Sequence, residues 1–281
     1  RKWPAEWLPL QAILAYPHPM QLAGIGRVVF WEGGSLWLAL ITGGNSLHLH
    51  HAIQISLPLD GKVNFRQSLS DEWMSYAGAL ITPDLPHAFD APGQVIANIL
   101  FEPESTAGRA LLARYDSAGI FSLPAKDVAK LVAPLAEAYA RDVSDAELVS
   151  VARNVIAELS DTEPPVAPTD HRVVRSIEYI RAHVDEPLTL ETLARASGLS
   201  PSRLRHLFVS ETGVSTKSFI LWERLNRALS LGFGGMSWTE AAHAANFADS
   251  AHLTRTCRRM FGLAPTAGRI EHGDKRKVVA D

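Results

Sequence analysis

The sequence predicts an α+β protein of two domains: an N-terminal β-barrel trailed by two helices, and a C-terminal all-α domain built on two helix-turn-helix units. Three observations predict it. Short runs of β-favouring residues broken by Gly and Pro fill residues 22–101; a proline-rich stretch, Asp161 to Asp170 (DTEPPVAPTD), interrupts the chain; and after it one helix-turn-helix pattern occurs twice. The 281 residues are 47% apolar, ample for two cores. The expected division is 1–160 for the first domain, 161–170 for the linker, 171–270 for the second domain and 271–281 for a charged tail.

The barrel begins with a hairpin, Val28 to Trp31 and Leu36 to Ile41, around the turn Glu32-Gly33-Gly34-Ser35. A second hairpin is expected from His48 to Leu57, turning at Asp60-Gly61 and returning over Lys62 to Arg66. Further strands are expected at Tyr76 to Thr82 and Val95 to Phe101, enough for a small barrel or jelly roll. Helical periodicity resumes at Lys126 to Arg141 and Asp145 to Leu159. The apolar stripes there (Val128, Leu131, Val132, Leu135; Leu148, Val151, Val155, Ile156) exceed what a small barrel needs, so they serve either as internal cover or as a dimer face.

The second domain opens its repeat at LTLETLARASGLSPSRLRHLFVSETG, Leu188 to Gly213. Thr189 is a good N-cap, Gly198 sits where a tight turn needs a positive φ, and Leu199 plugs the inter-helix angle. Ser200-Pro201 then supplies an N-cap and a proline at the first helical position, where a missing N–H costs nothing. The second copy starts at Ser237, which forms a capping box with Glu240; Asn246 and Phe247 take the places of Gly198 and Leu199, and Asp249 caps the next helix. Thr216 to Phe233 reads as one rigid helix between the copies. Burying Leu204, Leu207 and Phe208 leaves Ser202, Arg203, Arg205 and His206 outside. Burying Leu253, Cys257 and Phe261 leaves Ser250, Ala251, Thr254, Arg255 and Arg258 outside. Polar and cationic side chains near the start of such helices suit base edges in a major groove, although a lone copy would equally be a helical hairpin with solvated arginines. Charge favours nucleic acid: residues 1–170 hold 11 Lys+Arg against 19 Asp+Glu, net −8, whereas 171–281 hold 16 against 11, net +5.

From Val173 to Arg269 the chain resembles the AraC/XylS family of bacterial transcription regulators, through LTLETLA…GLSPSRLRHLF…ETG, Arg224-Leu225-Asn226-Arg227-Ala228 and the F-x-D-x-x-H-L-x-R…FG-x-x-P run. The resemblance implies base contacts from Ser202, Arg205 and His206, and from Ser250, Ala251, Thr254 and Arg255, reading successive major grooves about 34 Å apart. Asn246, Cys257 and Ala241 depart from the family pattern, so the second module is expected to pack more loosely and the first to carry more of the specificity. The family mostly activates transcription and pairs through helices like those at 126–159. An activator, a homodimer, and RNA polymerase as a further partner are therefore the expectations.

Within the barrel, His48, His50 and Gln54 would share one face of a strand and His51 the other. The stretch from His48 to Gly61 resembles the first cupin motif, with Gln54 where metal-binding cupins carry a glutamate; Thr82 to Phe89 resembles the second, with His87 as its histidine. His48, His50 and His87 could hold a divalent metal, or serve as polar pocket residues for an organic effector. The expected effector site is Trp31, Trp37, His48, His50, Gln54 and His87, with Trp73 and Phe89 as further rim aromatics or ordinary core. The alternative is a cupin metalloenzyme with an appended helical domain, against which the missing carboxylate argues; no other catalytic constellation is present, so an enzyme is not expected. A single cysteine, Cys257, suits a reducing cytoplasm, and no apolar run approaches membrane-spanning length. Because the chain opens with Arg1, the natural start is expected upstream. Arg269 and Lys275-Arg276-Lys277 could touch phosphates or form a solvated end.

Overall fold

The structure, a computed structural model, describes residues 24–115, 117–160 and 169–270. The linker residues 161–168 and the tail 271–281 lie outside them, as does the Arg269 side chain. Ten strands are described: β1 (Gly24–Trp31), β2 (Gly34–Ile41), β3 (Ile53–Pro58), β4 (Val63–Arg66), β5 (Met74–Tyr76), β6 (Ala79–Ile81), β7 (Ala88–Asp90), β8 (Val95–Phe101), β9 (Ile120–Ser122) and β10 (Gly268–Ile270). They form a seven-stranded sheet in the order β10-β1-β2-β8-β3-β6-β9 and a three-stranded sheet in the order β5-β4-β7. The first hairpin is as expected, with Val28 opposite Trp37. The second is not: β3 pairs with β6 and β8, while β4 crosses to the other sheet and pairs with β5 and β7. The turn Asp60-Gly61 is thus a corner between sheets, with Gly61 at φ 78°.

Alternation along the strands gives the large sheet two chemically different faces. Leu36, Leu38, Ile53, Ile55, Ile99 and Phe101 face out, beneath α2 (Ala125–Arg141) and α3 (Asp145–Ser160). Ile41, Ala79, Ile81 and Ile96 face in, against Val63, Phe65 and Phe89 of the small sheet. The two sheets do not close into the expected barrel. Beyond the small sheet, the inner face of β1, β2 and β8 (Val28, Phe30, Trp37, Leu100) is covered instead by the helical domain. Arg27 ties the outer layer down by donating to Asp142 (3.2 Å), the Val143 carbonyl and Asp145, which lie at the turn joining α2 to α3.

This layering answers one open alternative. Val128, Leu131, Leu135, Leu148, Val155 and Ile156 are buried in the core these helices share with the sheet of the same chain, with Val132 and Val151 half-buried against it, so most of each stripe first weighed as a dimer face is internal cover. A short helix, α1 (Thr106–Leu112), precedes them, N-capped by Ser105, which accepts from the Gly108 amide.

The helical domain comprises α4 (His171–Ala182), α5 (Leu190–Ser197), α6 (Pro201–Thr212), α7 (Thr216–Phe233), α8 (Trp238–Ala244) and α9 (Ser250–Phe261). It then ends on β10, which pairs in parallel with β1 (Gly24 opposite Gly268), so the last described residues of this domain belong to the other domain's sheet. No helix among the described residues is long and apolar enough to cross a membrane.

Candidate functional site

The two helix-turn-helix units form as their caps dictate. Thr189, Ser200, Ser237 and Asp249 each accept a hydrogen bond from a backbone amide in the first turn of α5, α6, α8 and α9. The turn between helices is left-handed in both copies, at Gly198 (φ 68°) and Asn246 (φ 57°); asparagine tolerates that region better than other residues bearing a Cβ. Val173, Ile177, Leu193, Leu204, Phe208 and Phe219 make one core around the first unit, and Leu225, Leu229, Leu253 and Cys257 belong to a second around the other. Because α7 contributes to both, it fixes the units relative to one another.

On the outer surface, Ser202, Arg203, Arg205 and His206 of α6 are exposed, as are Ala251, Arg255 and Arg258 of α9, with Ser250 and Thr254 half-buried beside them. Every expected base-contacting residue is therefore accessible. Ala241 and Cys257 are fully buried, and burial pushes the Cys257 thiol up to about 12, so it is an inert apolar filler. The second core is not complete within its own domain: Phe30, Trp37, Ala52 and Leu100 from the sheets belong to it.

The seam between the domains encloses a cavity of about 90 Å³. Trp37, His48, Gln54, Phe89 and Asn98 line it from the sheets, and Phe233, Phe261 and Leu263 from the helices. Trp37 packs edge-on to Phe233 (centroids 5.5 Å apart) and tilted on Phe261 (5.2 Å). The polar wall is itself satisfied, since Gln54 donates to Ser56 (2.9 Å) and Ser56 donates to Asn98 (2.6 Å). Three expected effector residues, Trp37, His48 and Gln54, are in the wall. Trp31 is not: it lies one residue out of step with Val28 and Phe30, and so packs on the outer, helix-covered face. Trp73 is exposed and holds Arg66 over its ring at 4.5 Å, away from the cavity.

His50 and His87 stand behind this wall, and with His48 they form a buried group. Residues 48–51 are not in a strand; His48 forms a single bridge with His87, and the loop around it turns His50 inward. Burial lowers all three, and neighbouring imidazoles lower His48 and His87 further: His48 falls to about 3, His87 falls well below its ordinary value, and His50 falls through burial alone, against the pull of Gln54, the Ala52 carbonyl and Asp84. All three rings are therefore neutral. His51 points the opposite way, to Glu104 (2.9 Å) and Asp84 (3.8 Å); burial opposes its charge, but the two carboxylates outweigh it and raise His51 to about 9.

Ion pairs and main-chain bonds complete the seam. Arg181 of α4 meets Glu102, Glu223 (3.3 Å) and Glu32 (3.6 Å). Arg109 meets Glu211 (3.2 Å), at the far end of α6 from its exposed arginines. The Ser46 amide donates to the Gly262 carbonyl (3.1 Å), and the Asn45 side chain to that of Phe261 (3.1 Å). Sequence reasoning placed Phe261 in the core and did not single out Phe233, Leu263 or Asn98. For Phe233 and Leu263 no local signal exists, because their partners lie in the other domain; Asn98 alone was findable, as a polar residue midway along an apolar strand.

Residues 193–269 match a family described as a helix-turn-helix domain. The multiple antibiotic resistance protein MarA of Salmonella typhimurium is 30% identical over 115 residues, which cover 40% of this chain and 91% of that protein. The arabinose operon regulatory protein of Escherichia coli is 30% identical over 115 residues, 40% of this chain and 39% of its own length. The chain spans little more than a third, 34–39%, of the curated relatives it matches first. An apo ToxT variant from Vibrio cholerae shares the fold over 85% of this chain and 97% of its own, with a TM-score of 0.55 at 9% identity.

Proposed function

Because the chain belongs to the AraC/XylS family of transcription regulators, we propose that it is an effector-controlled, DNA-binding regulator, an activator acting in the cytoplasm. In this reading Ser202, Arg205 and His206 of α6, and Ser250, Ala251, Thr254 and Arg255 of α9, read base edges in two major grooves, while Arg203 and Arg258 add phosphate contacts. The effector occupies the seam. What carries this proposal is the shared cavity wall: Phe261 is the last residue of α9 itself, so a molecule in the cavity touches a recognition helix directly.

The size of the cavity supplies the coupling. At about 90 Å³ it is smaller than the 150 Å³ or so that holds a benzene ring, so an effector of ordinary size enters only when Phe233 and Phe261 move away from Trp37. Effector binding and the closed seam are then competing states, and the energy separating them is the coupling energy. The aromatic lining with amide and imidazole groups suits an uncharged aromatic or branched aliphatic molecule bearing one hydrogen-bonding group. The domain bearing Gln54 senses rather than catalyses. A second copy of the chain and RNA polymerase are kept as partners on the family's account, since the helix stripe that suggested dimerisation is used internally.

A thermal-shift screen of such compounds, followed by fluorescence anisotropy on DNA selected from a random pool, tests the proposal. The expected result is a compound that shifts the melting temperature and changes DNA affinity, with both effects reduced by Asn98→Ala. Selected DNA bound no better than random DNA would defeat the DNA reading; a stabilising compound that leaves DNA affinity untouched would defeat the coupling.

A further inference from the structure

The three buried histidines are held alike, each ring by the same nitrogen. His48 Nδ1 lies 2.9 Å from the Ser46 carbonyl, His50 Nδ1 3.1 Å from that of Ala52, and His87 Nδ1 2.9 Å from that of Leu85. A carbonyl only accepts, so Nδ1 carries a hydrogen in all three, and Nε2 is left as the nitrogen able to take a ligand. One nitrogen from each ring lies within 4.8 Å of the other two. His87 Nε2 is fully buried and has no hydrogen-bond partner. Ring nitrogens crowded together in a dry site repel through their lone pairs, unless something positive lies between them.

Gln54 stands beside the group. Its side-chain amide oxygen lies 2.9 Å from His50 Nε2, and its other end is tied to Ser56 and through it to Asn98. A cation between Oε1 and Nε2, and an amide turned over together with that of Asn98 so that it donates to Nε2, are the two ways of satisfying this contact.

The geometry points to a binding site for one divalent transition-metal cation of borderline softness, zinc being the type, held by Nε2 of His48, His50 and His87 and by Oε1 of Gln54. Three imidazoles select against magnesium and calcium, which take oxygen. The backbone carbonyls on Nδ1 are the outer partners that orient ligating histidines. Closing the ring nitrogens from 4.8 Å at the widest to about 3.3 Å needs only side-chain rotation on the order of 1 Å. All four donors are uncharged, so the site binds more weakly than one with a carboxylate.

The site also lies on the seam. Trp222 of α7 and Phe261 of α9 stand 6.0 and 6.1 Å from the His50 ring, and the loop carrying His48 and His50 holds the Phe261 and Gly262 carbonyls. A cation here stiffens the loop that grips the helical domain. This goes beyond the regulator proposal and stands apart from it, since it is tested without DNA.

The test is equilibrium dialysis of the chelator-stripped full chain against zinc, cobalt(II) or magnesium, with metal counted by mass spectrometry and folding followed by circular dichroism. The expected result is one zinc or cobalt per chain, no magnesium, a higher melting temperature with zinc, and at least tenfold weaker binding in His87→Ala. Gln54→Glu is expected to bind at least tenfold tighter, and it decides the matter alone if His87→Ala does not fold. No stoichiometric zinc, or zinc held with unchanged affinity by both variants, as by surface histidines such as His243, would overturn the inference.

Discussion

Gly262→Ala should part the domains without touching a DNA-facing side chain. Gly262 ends α9 at φ 73°, and a Cβ built on it meets the Ser46 carbonyl oxygen at 2.3 Å, His48 Nδ1 at 2.9 Å and Asn45 Cβ at 3.1 Å. The left-handed conformation costs a residue with a Cβ about 1–2 kcal/mol. The overlap with Ser46 is with backbone, so it is relieved only by moving the loop. That movement breaks the bonds from the Ser46 amide and hydroxyl to the Gly262 carbonyl, and from Asn45 to Phe261, at about 1 kcal/mol each. Gly213 provides the control: it ends α6 at φ 79° with nothing within 4 Å of its Cβ position, so Gly213→Ala carries the conformational cost alone. By calorimetry Gly262→Ala should melt roughly 6–12 °C below Gly213→Ala, about 3 kcal/mol at 2–4 °C each. Amide exchange at Ser46 and His48 should accelerate in Gly262→Ala only. Equal melting temperatures for the two variants would show that the close approach at Gly262 does not hold the seam.

Burial holds the Glu102 carboxyl up at about 7 against the pull of Arg181, with Glu104 and Glu223 adding to the rise. A folded pKa above the unfolded one makes its share of stability whole below the ordinary carboxylate range and lost as pH rises from there through 7, so the melting temperature should fall between about pH 5 and 7 and level off above. Glu102→Gln should flatten that fall, and an unchanged slope would assign it to other groups. Arg205→Ala should lose more discrimination between selected and random DNA than Arg255→Ala, within about 1–3 kcal/mol, as read by anisotropy; equal losses would contradict unequal roles for the two modules. Phe261→Ala should cost about 3–5 kcal/mol and enlarge the cavity enough for benzene to stabilise the variant but not the parent chain, and benzene shifting both alike would place the cavity elsewhere.

The helical domain was legible nearly residue by residue because its determinants are local. The caps at Thr189, Ser200, Ser237 and Asp249 and the turns at Gly198 and Asn246 each act within four residues of themselves. The sheets were less so. The β1–β2 hairpin was readable because its turn is two residues long, whereas Asp60-Gly61 looks identical as a hairpin or as a corner; only the distant partners β6 and β8 decide between them. His48, His50 and Gln54 do converge as expected, but for another reason: the first two lie in a loop pinned by carbonyls, where strand parity does not apply. Trp31 shows the converse: it was expected beside Trp37 in one site, and only the observed register, with Val28 opposite Trp37, puts the two on opposite faces.

The seam explains why two copies of one motif need not play equal parts. The core of the first unit draws on α4, α5, α6 and the start of α7, all from the helical domain, whereas that of the second includes Trp37, Phe30 and Leu100 of the sheets. Any molecule that pushes Phe261 off Trp37 therefore removes part of the packing under α9 while leaving that under α6 intact. On the proposed function, an effector at the seam is felt first by Arg255 and Arg258, while the packing under Arg203, Arg205 and His206 is unchanged. On that reading the first unit serves as the constant anchor to DNA and the second as the element whose engagement changes, a division of labour that follows from which core is complete rather than from the recognition helices themselves.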